Sequence, residues 1–138
     1  MLKLTSAMIT ALFMISTSCS SSNELKDIRL HDIWALDSIE GEKIIIDENV
    51  SNLPVLEIYV KEERIHGNTG CNVLNGSVEI DEDKISFSRM ITTEMACPGD
   101  LEQKFLSALH RVNKYKIEKL RLFLYDDNKE LLTLRKID

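Results

Sequence analysis

One stretch of this chain, Leu101 to Val112, repeats its apolar residues at helical spacing, while every other apolar run after residue 30 is short and broken by turn residues. Leu101, Phe105, Ala108, Leu109 and Val112 fall on one face of an α-helix. Pro98-Gly99 breaks the chain just before it, and Asp100 with Gln103 three residues on has the pattern of a capping box. The remaining runs have strand character. Trp34, Leu36 and Ile39 lead to a turn at Glu40-Gly41, and Ile44 to Ile46 is a short apolar run. Val55 to Val60 follows Pro54, which suits a strand start or edge. Ile65 resumes a strand after the polar turn Lys61 to Arg64. Val73 to Ile80 and Ile85 to Phe87 flank Asp81 to Lys84 and predict a hairpin. Tyr115 to Ile117, Leu120 to Tyr125 and Leu131 to Ile137 follow the helix, the last two separated by the turn Asp126 to Lys129. Short turns join antiparallel neighbours, so the expected fold is α+β, a β-rich curled antiparallel sheet or partly open barrel carrying one α-helix.

The N-terminus has a different order. Lys3 precedes an apolar segment, Leu4 to Ile15, and the small polar residues Ser16, Thr17 and Ser18 precede Cys19. Charged start, short apolar stretch and small-residue cleavage site make an export signal. A cysteine directly after the cleavage site marks Cys19 as the lipidated first residue of a mature lipoprotein; an ordinary secretory signal with a coincidental cysteine is the other reading. The apolar segment falls short of the roughly 20 residues a transmembrane helix needs. The expected organisation is a signal peptide over 1–18, a flexible tether over 19–30 whose SSSNELK stretch is polar, and one domain over 31–138. The expected location is the bacterial cell envelope, lipid-anchored and facing the periplasm.

Loss of residues 1–18 removes Lys3 alone among the charged residues, so 16 basic side chains face 23 acidic ones, a net charge of −7. That balance argues against nucleic acid and against docking on anionic lipid.

With Cys19 committed to lipid, Cys71 and Cys97 remain, and an even pair in an exported domain favours a disulfide. Its closure would stabilise the domain by roughly 3 kcal/mol. A catalytic thiol with His66 nearby in sequence is the sharper alternative, and it needs a base in contact and a depressed pKa. A metal site would draw on His31, His66, His110 and the cysteines, but no ligand-pair spacing and no CxxC occurs, so neither metal nor cofactor is expected. Gly67-Asn68-Thr69-Gly70 lacks the Lys-Ser/Thr of a phosphate loop and reads as a tight turn. Asn72 and Asn75 are expected to bond local backbone groups. Asp37-Ser38-Ile39 resembles a short O-glycosylation motif of exported proteins.

The run Arg64 to Gly76, RIHGNTGCNVLNG, resembles the META domain of HslJ-type heat-shock lipoproteins. Gly67, Gly70, Cys71, Asn72 and Gly76 match the pattern G-x-x-G-C-N-x-x-x-G. Trp34-Ala35-Leu36 looks like the opening W-x-L strand, and Thr93 to Cys97, with Met95 at its centre, resembles T-x-M-A-C. Glu102, Phe105, Leu106 and Leu109 match the following helix. The resemblance covers about residues 31–137. In the turn before the penultimate strand, Glu118-Lys119 stands where many members have Gly, which puts the tightness of that turn in question. The resemblance implies a partly open barrel with one helix and a link to stress, antibiotic tolerance or secretion. It carries no established catalytic residue. The resulting expectation is a non-catalytic envelope lipoprotein that binds a partner protein or supports the envelope under stress. The alternative is a carrier of a lipid or small apolar ligand in a cleft between sheet and helix. Oligomeric state stays open.

Overall fold

The computed structural model describes residues 26–137. Cys19, the signal peptide and the tether through residue 25 lie outside them. Nine strands form an antiparallel sheet curled into a ring-like but irregular barrel, with one α-helix among the described residues. In chain order these are β1 (Ile33–Ile39), β2 (Glu42–Lys43), β3 (Val55–Tyr59), β4 (Arg64–Asn68), β5 (Val73–Asp81), β6 (Lys84–Thr92), helix α1 (Leu101–Arg111), β7 (Lys114–Glu118), β8 (Arg121–Asp126) and β9 (Lys129–Ile137). Neighbouring strands run β2-β1-β3-β4-β5-β6-β7-β8-β9, and β1 also pairs with β9 to close the ring. Among the described residues only β2 stands outside the ring, at the sheet's free end.

The ring is uneven. β5 and β6 pair along most of their length, whereas β6 and β7 share the single pair Lys84↔Lys114. Helix α1 packs against β6 beside this weak joint. Its apolar face, Phe105, Ala108 and Leu109, is buried in the core with Trp34, Leu36 and Leu56. Complete burial of a side chain such as Phe105 stabilises by about 1.5–3 kcal/mol. The expected capping box is absent. Asp100 makes no side-chain cap bond, and its carboxylate instead pairs with Lys104 at 3.0 Å.

The domain begins before the expected boundary at residue 31. Ile28–Leu30 form a 3₁₀ turn, Leu30 is fully buried, and the Trp34 indole N–H donates to the Leu30 carbonyl at 3.1 Å. The described part of the expected tether is therefore folded onto the barrel, because Leu30 supplies apolar area that Trp34 needs covered. This turn closes one end of the barrel, where the β3–β4 and β5–β6 turns lie. Lys26 pairs with Glu63 there, and the Tyr115 hydroxyl donates to the Glu82 carbonyl at 2.8 Å, with the Asp27 carboxylate 3.3 Å from the same hydroxyl.

The turn at Glu118-Lys119 is tight without glycine. Lys119 adopts φ +55°, and Glu118 pairs with Arg121 across it. Ser38, of the glycosylation-like motif, sits within β1 and is paired on both sides, with Lys43 and with Thr133.

Candidate functional site

The opposite end of the barrel gathers the motif residues. The turn 69–72 between β4 and β5, the segment 93–97 after β6 and the first turn of α1 converge there on Asn72, which is 1% exposed. Its amide oxygen accepts from the Met95 backbone N–H at 2.8 Å and from the Thr93 hydroxyl at 2.9 Å. Its NH₂ lies among the Glu102 carboxylate at 2.9 Å, the Met95 carbonyl at 3.2 Å and the Cys97 sulfur at 3.2 Å. Thr69, equally buried, bonds the Asn72 backbone from both sides and donates its hydroxyl to Glu102. The Glu102 carboxylate sits in the first turn of α1, where the helix N-terminus favours a negative charge. A disulfide joins Cys71 to Cys97 across the same junction, with Cα atoms 6.0 Å apart.

Asn72 therefore does not serve local backbone, as its sequence position suggests. It reaches residues more than twenty positions away, because the barrel brings three chain segments to one point. Met95 takes part through its backbone alone, and its side chain is 62% exposed. Gly67 is not in a turn but inside β4, where a Cβ would lie 2.0 Å from the Val55 carbonyl oxygen of β3. Gly70 occupies the turn at φ +91°, with Asn52 O at 2.7 Å from a Cβ position. Gly76 faces a bulge in β6 around Arg89, whose φ is +50°, and leaves room for Met90 and the Ser88 carbonyl.

The candidate chemistry sorts itself by these contacts. Both sulfurs of Cys71 and Cys97 are bonded to each other, so neither is a thiolate nucleophile. His66 donates its Nδ1–H to Asn75 Oδ1 at 2.8 Å on the face of β4. His31 Nδ1 accepts from the Val60 N–H, and its ring meets Tyr59 edge-on at 5.6 Å. His110 is exposed in the last turn of α1. Among the described residues no group of three His, Cys, Asp or Glu side chains gathers as a metal site. No helix among them is long and apolar enough to cross a membrane. Every buried side-chain nitrogen and oxygen among them has a hydrogen-bond partner.

Two of the hollows at this end lie beside α1. A small one of about 260 Å³ lies beside the disulfide, between Asn49 to Asn52 and the start of α1. A larger open groove of about 780 Å³ runs between α1 and the chain from Ile39 to Val50. Its floor is apolar and its rim is charged. On the rim, Lys129 and Arg111 beside Glu40 hold that carboxyl below its usual range, and Asp100 pushes the Lys104 ammonium up. At the far end of the barrel, the Arg29 guanidinium holds Asp27 low. Burial, with Asp27 beside it, pushes Tyr115 up to about 12.

Glu102, Thr69 and Thr93 are the partners in this junction that sequence reasoning passed over. Glu102 counts in the sequence only as part of a helix pattern, and the threonines only as turn or motif residues. The available signal was a carboxylate in the first turn of the one helix, placed after a buried-type Asn in a Gly-flanked turn.

The META domain family model matches residues 26–138, so the chain belongs to the META domain family. A solved NMR structure of a protein from Burkholderia xenovorans is 19% identical, with 99% of each chain covered and a TM-score of 0.61. A crystal structure of a DUF4847 family protein from Bacteroides vulgatus is 12% identical, covering 80% of this chain and 97% of that one at a TM-score of 0.58. A further NMR structure, 19% identical, covers 78% of this chain and 90% of that one at 0.59. These likenesses are of fold. No curated protein matches the chain.

Proposed function

We propose that this protein is a non-catalytic envelope lipoprotein, held to the membrane through Cys19, whose barrel binds a partner protein at its surface in a stress-related role. The observation that carries this reading is the use made of the motif's polar groups within this chain. Asn72, Thr69, Glu102 and the two cysteines bond one another and fasten three segments, so the carboxylate and the sulfurs of this junction are engaged within the chain. A structural disulfide fits an oxidising, exported compartment. The carrier alternative is best served by an enclosed apolar chamber; the interior between sheet and helix is filled by Trp34, Phe105 and Leu109, each 1% exposed or less, and the groove beside α1 is open with a charged rim. Exposed Ile45, Ile46, Ile91 and Met95 offer apolar contact at the surface.

The test is photocrosslinking in intact cells from positions around Met95 and Ile45. Reproducible capture of one envelope protein, lost when Cys19→Ser releases the chain from the membrane, is the expected result. No reproducible adduct from any surface position would overturn the partner-binding reading.

A further inference from the structure

We infer that the free edge of β2 and the groove beside it form a docking site for an extended segment of a partner polypeptide, which adds as a strand between β2 and helix α1. This rests on the partner-binding reading and names the site and the class of ligand.

The ring closes every strand but one among the described residues. β2 pairs with β1 and with nothing on its other side among the described residues. The two-residue turn Glu40-Gly41, with φ +47° and +83°, sets the register Ile39↔Glu42 and Ser38↔Lys43. In such a hairpin the residues flanking the turn exchange both backbone bonds, and the next pair turns its N–H and C=O outward. Glu42 thus faces β1, and the Ile44 N–H continues inward to the Asp37 carbonyl at 2.9 Å. Lys43 therefore aims its backbone N–H and C=O away from β1, and the proposed site continues this alternation past the end of β2 to Ile45, which lines the same groove.

The opposite wall is α1. Asp100, Lys104, Ser107 and Arg111, spaced along one face, all line the groove, so it runs the length of the helix. Eleven helical residues span about 16 Å. That is the length of about five extended residues. Ile39, Ile44, Leu101 and Ala108 make the floor, which suits apolar side chains at alternate positions of an added strand. The groove's size lies within the range of about 300–1,000 Å³ typical of ligand sites.

Backbone chemistry selects the occupant. An acyl chain lying here would cover the N–H and C=O groups of Lys43 and Ile45 without bonding them, which is unfavourable. A polypeptide in extended form bonds them. A second copy of this chain is a poor fit, since its own β2 is walled by its own helix and cannot enter.

The probe is a set of capped heptapeptides with valine, isoleucine or leucine at alternate positions and threonine between, added to the full chain. Amide hydrogen exchange read by NMR should slow about tenfold or more at Lys43 and Ile45 at saturation, while Ile44, already bonded to Asp37, changes little. Ile45→Pro removes an outward donor at an edge position where proline is tolerated, so the fold should persist and affinity fall about tenfold or more. N-methylation of the peptide at the bonds facing β2 should have the same effect. Strand addition reads sequence weakly, so failure of every peptide to bind at millimolar concentration overturns the proposal. Binding without protection of Lys43 and Ile45, or equal binding by Ile45→Pro, also overturns it while leaving a partner site elsewhere. Concentration-dependent protection of the same amides without peptide would reassign the edge to self-association and overturn it too.

Discussion

The two ends of the barrel are closed by different physics. At the N-terminal end, a short 3₁₀ turn presses Leu30 under Trp34 and is fastened by Asp27, Tyr115 and Lys26 to neighbouring turns. At the other end, a covalent bond and a buried amide tie together residues distant in sequence. The first closure is apolar with titratable fastenings, and the second is a redox-sensitive polar junction with its groups matched. One end should therefore respond to pH and the other to reductant, although they share one core.

The largest break in that comparison is Cys71→Ala. It should lower unfolding free energy by about 2–5 kcal/mol in urea denaturation, and reductant should then have no further effect. Reductant alone should bring the wild type down to the same level.

Asn72→Ala follows in size. It strands the Met95 N–H and part of the Glu102 carboxylate in a buried setting, at a cost of about 2–3 kcal/mol. Because the disulfide holds the same segments, the loss should be greater in reductant than without it, which a double-mutant cycle with Cys71→Ala would measure.

The pH response sharpens the contrast. Asp27 has a depressed pKa in the folded chain, so its contribution is present above the ordinary value of 3.8 and is lost as acid protonates it. Tyr115 has a pKa raised from 10.0 to about 12, so its contribution is intact below pH 10 and drains away as pH climbs toward 12. Tyr115→Phe should cost about 1 kcal/mol at neutral pH by removing the bond to Glu82. Asp27→Asn and Tyr115→Phe should flatten the acid and alkaline limbs respectively, in thermal melts across pH.

The smallest expected effect is a gain. Lys119 holds φ +55° in the β7–β8 turn, beside the N-terminal 3₁₀ turn, and Lys119→Gly should relieve that strain by about 0.5–1 kcal/mol.

These responses also explain what could be read from residues alone. The strand runs, the single helix and the hairpin around Asp81 to Lys84 follow from local pattern, and the barrel agrees with them in kind. The capping box misled, since Asp100 found Lys104 instead. Leu30 fell in the expected tether because Ile28 and Leu30, set among charged residues, make too short a run to carry periodicity; only Trp34 packing on it reveals its place. Gly67 looked like a turn residue, yet its reason is the approach of β3, a long-range contact. The Asn72 junction was legible only as a motif, because its partners lie on three separate segments that only the closed ring brings together. The free edge of β2 depends on which strand is left out of the ring, which no local pattern encodes.

The central claim joins a tethered N-terminus to a disulfide-locked far end. The most direct test is an intact-mass spectrum of the protein extracted from its native membrane, alkylated with and without reductant. The account predicts a chain beginning at lipidated Cys19 that takes no alkyl group until reduction and two afterwards, at Cys71 and Cys97. A chain cut elsewhere without lipid, or one that alkylates twice before reduction, would contradict it.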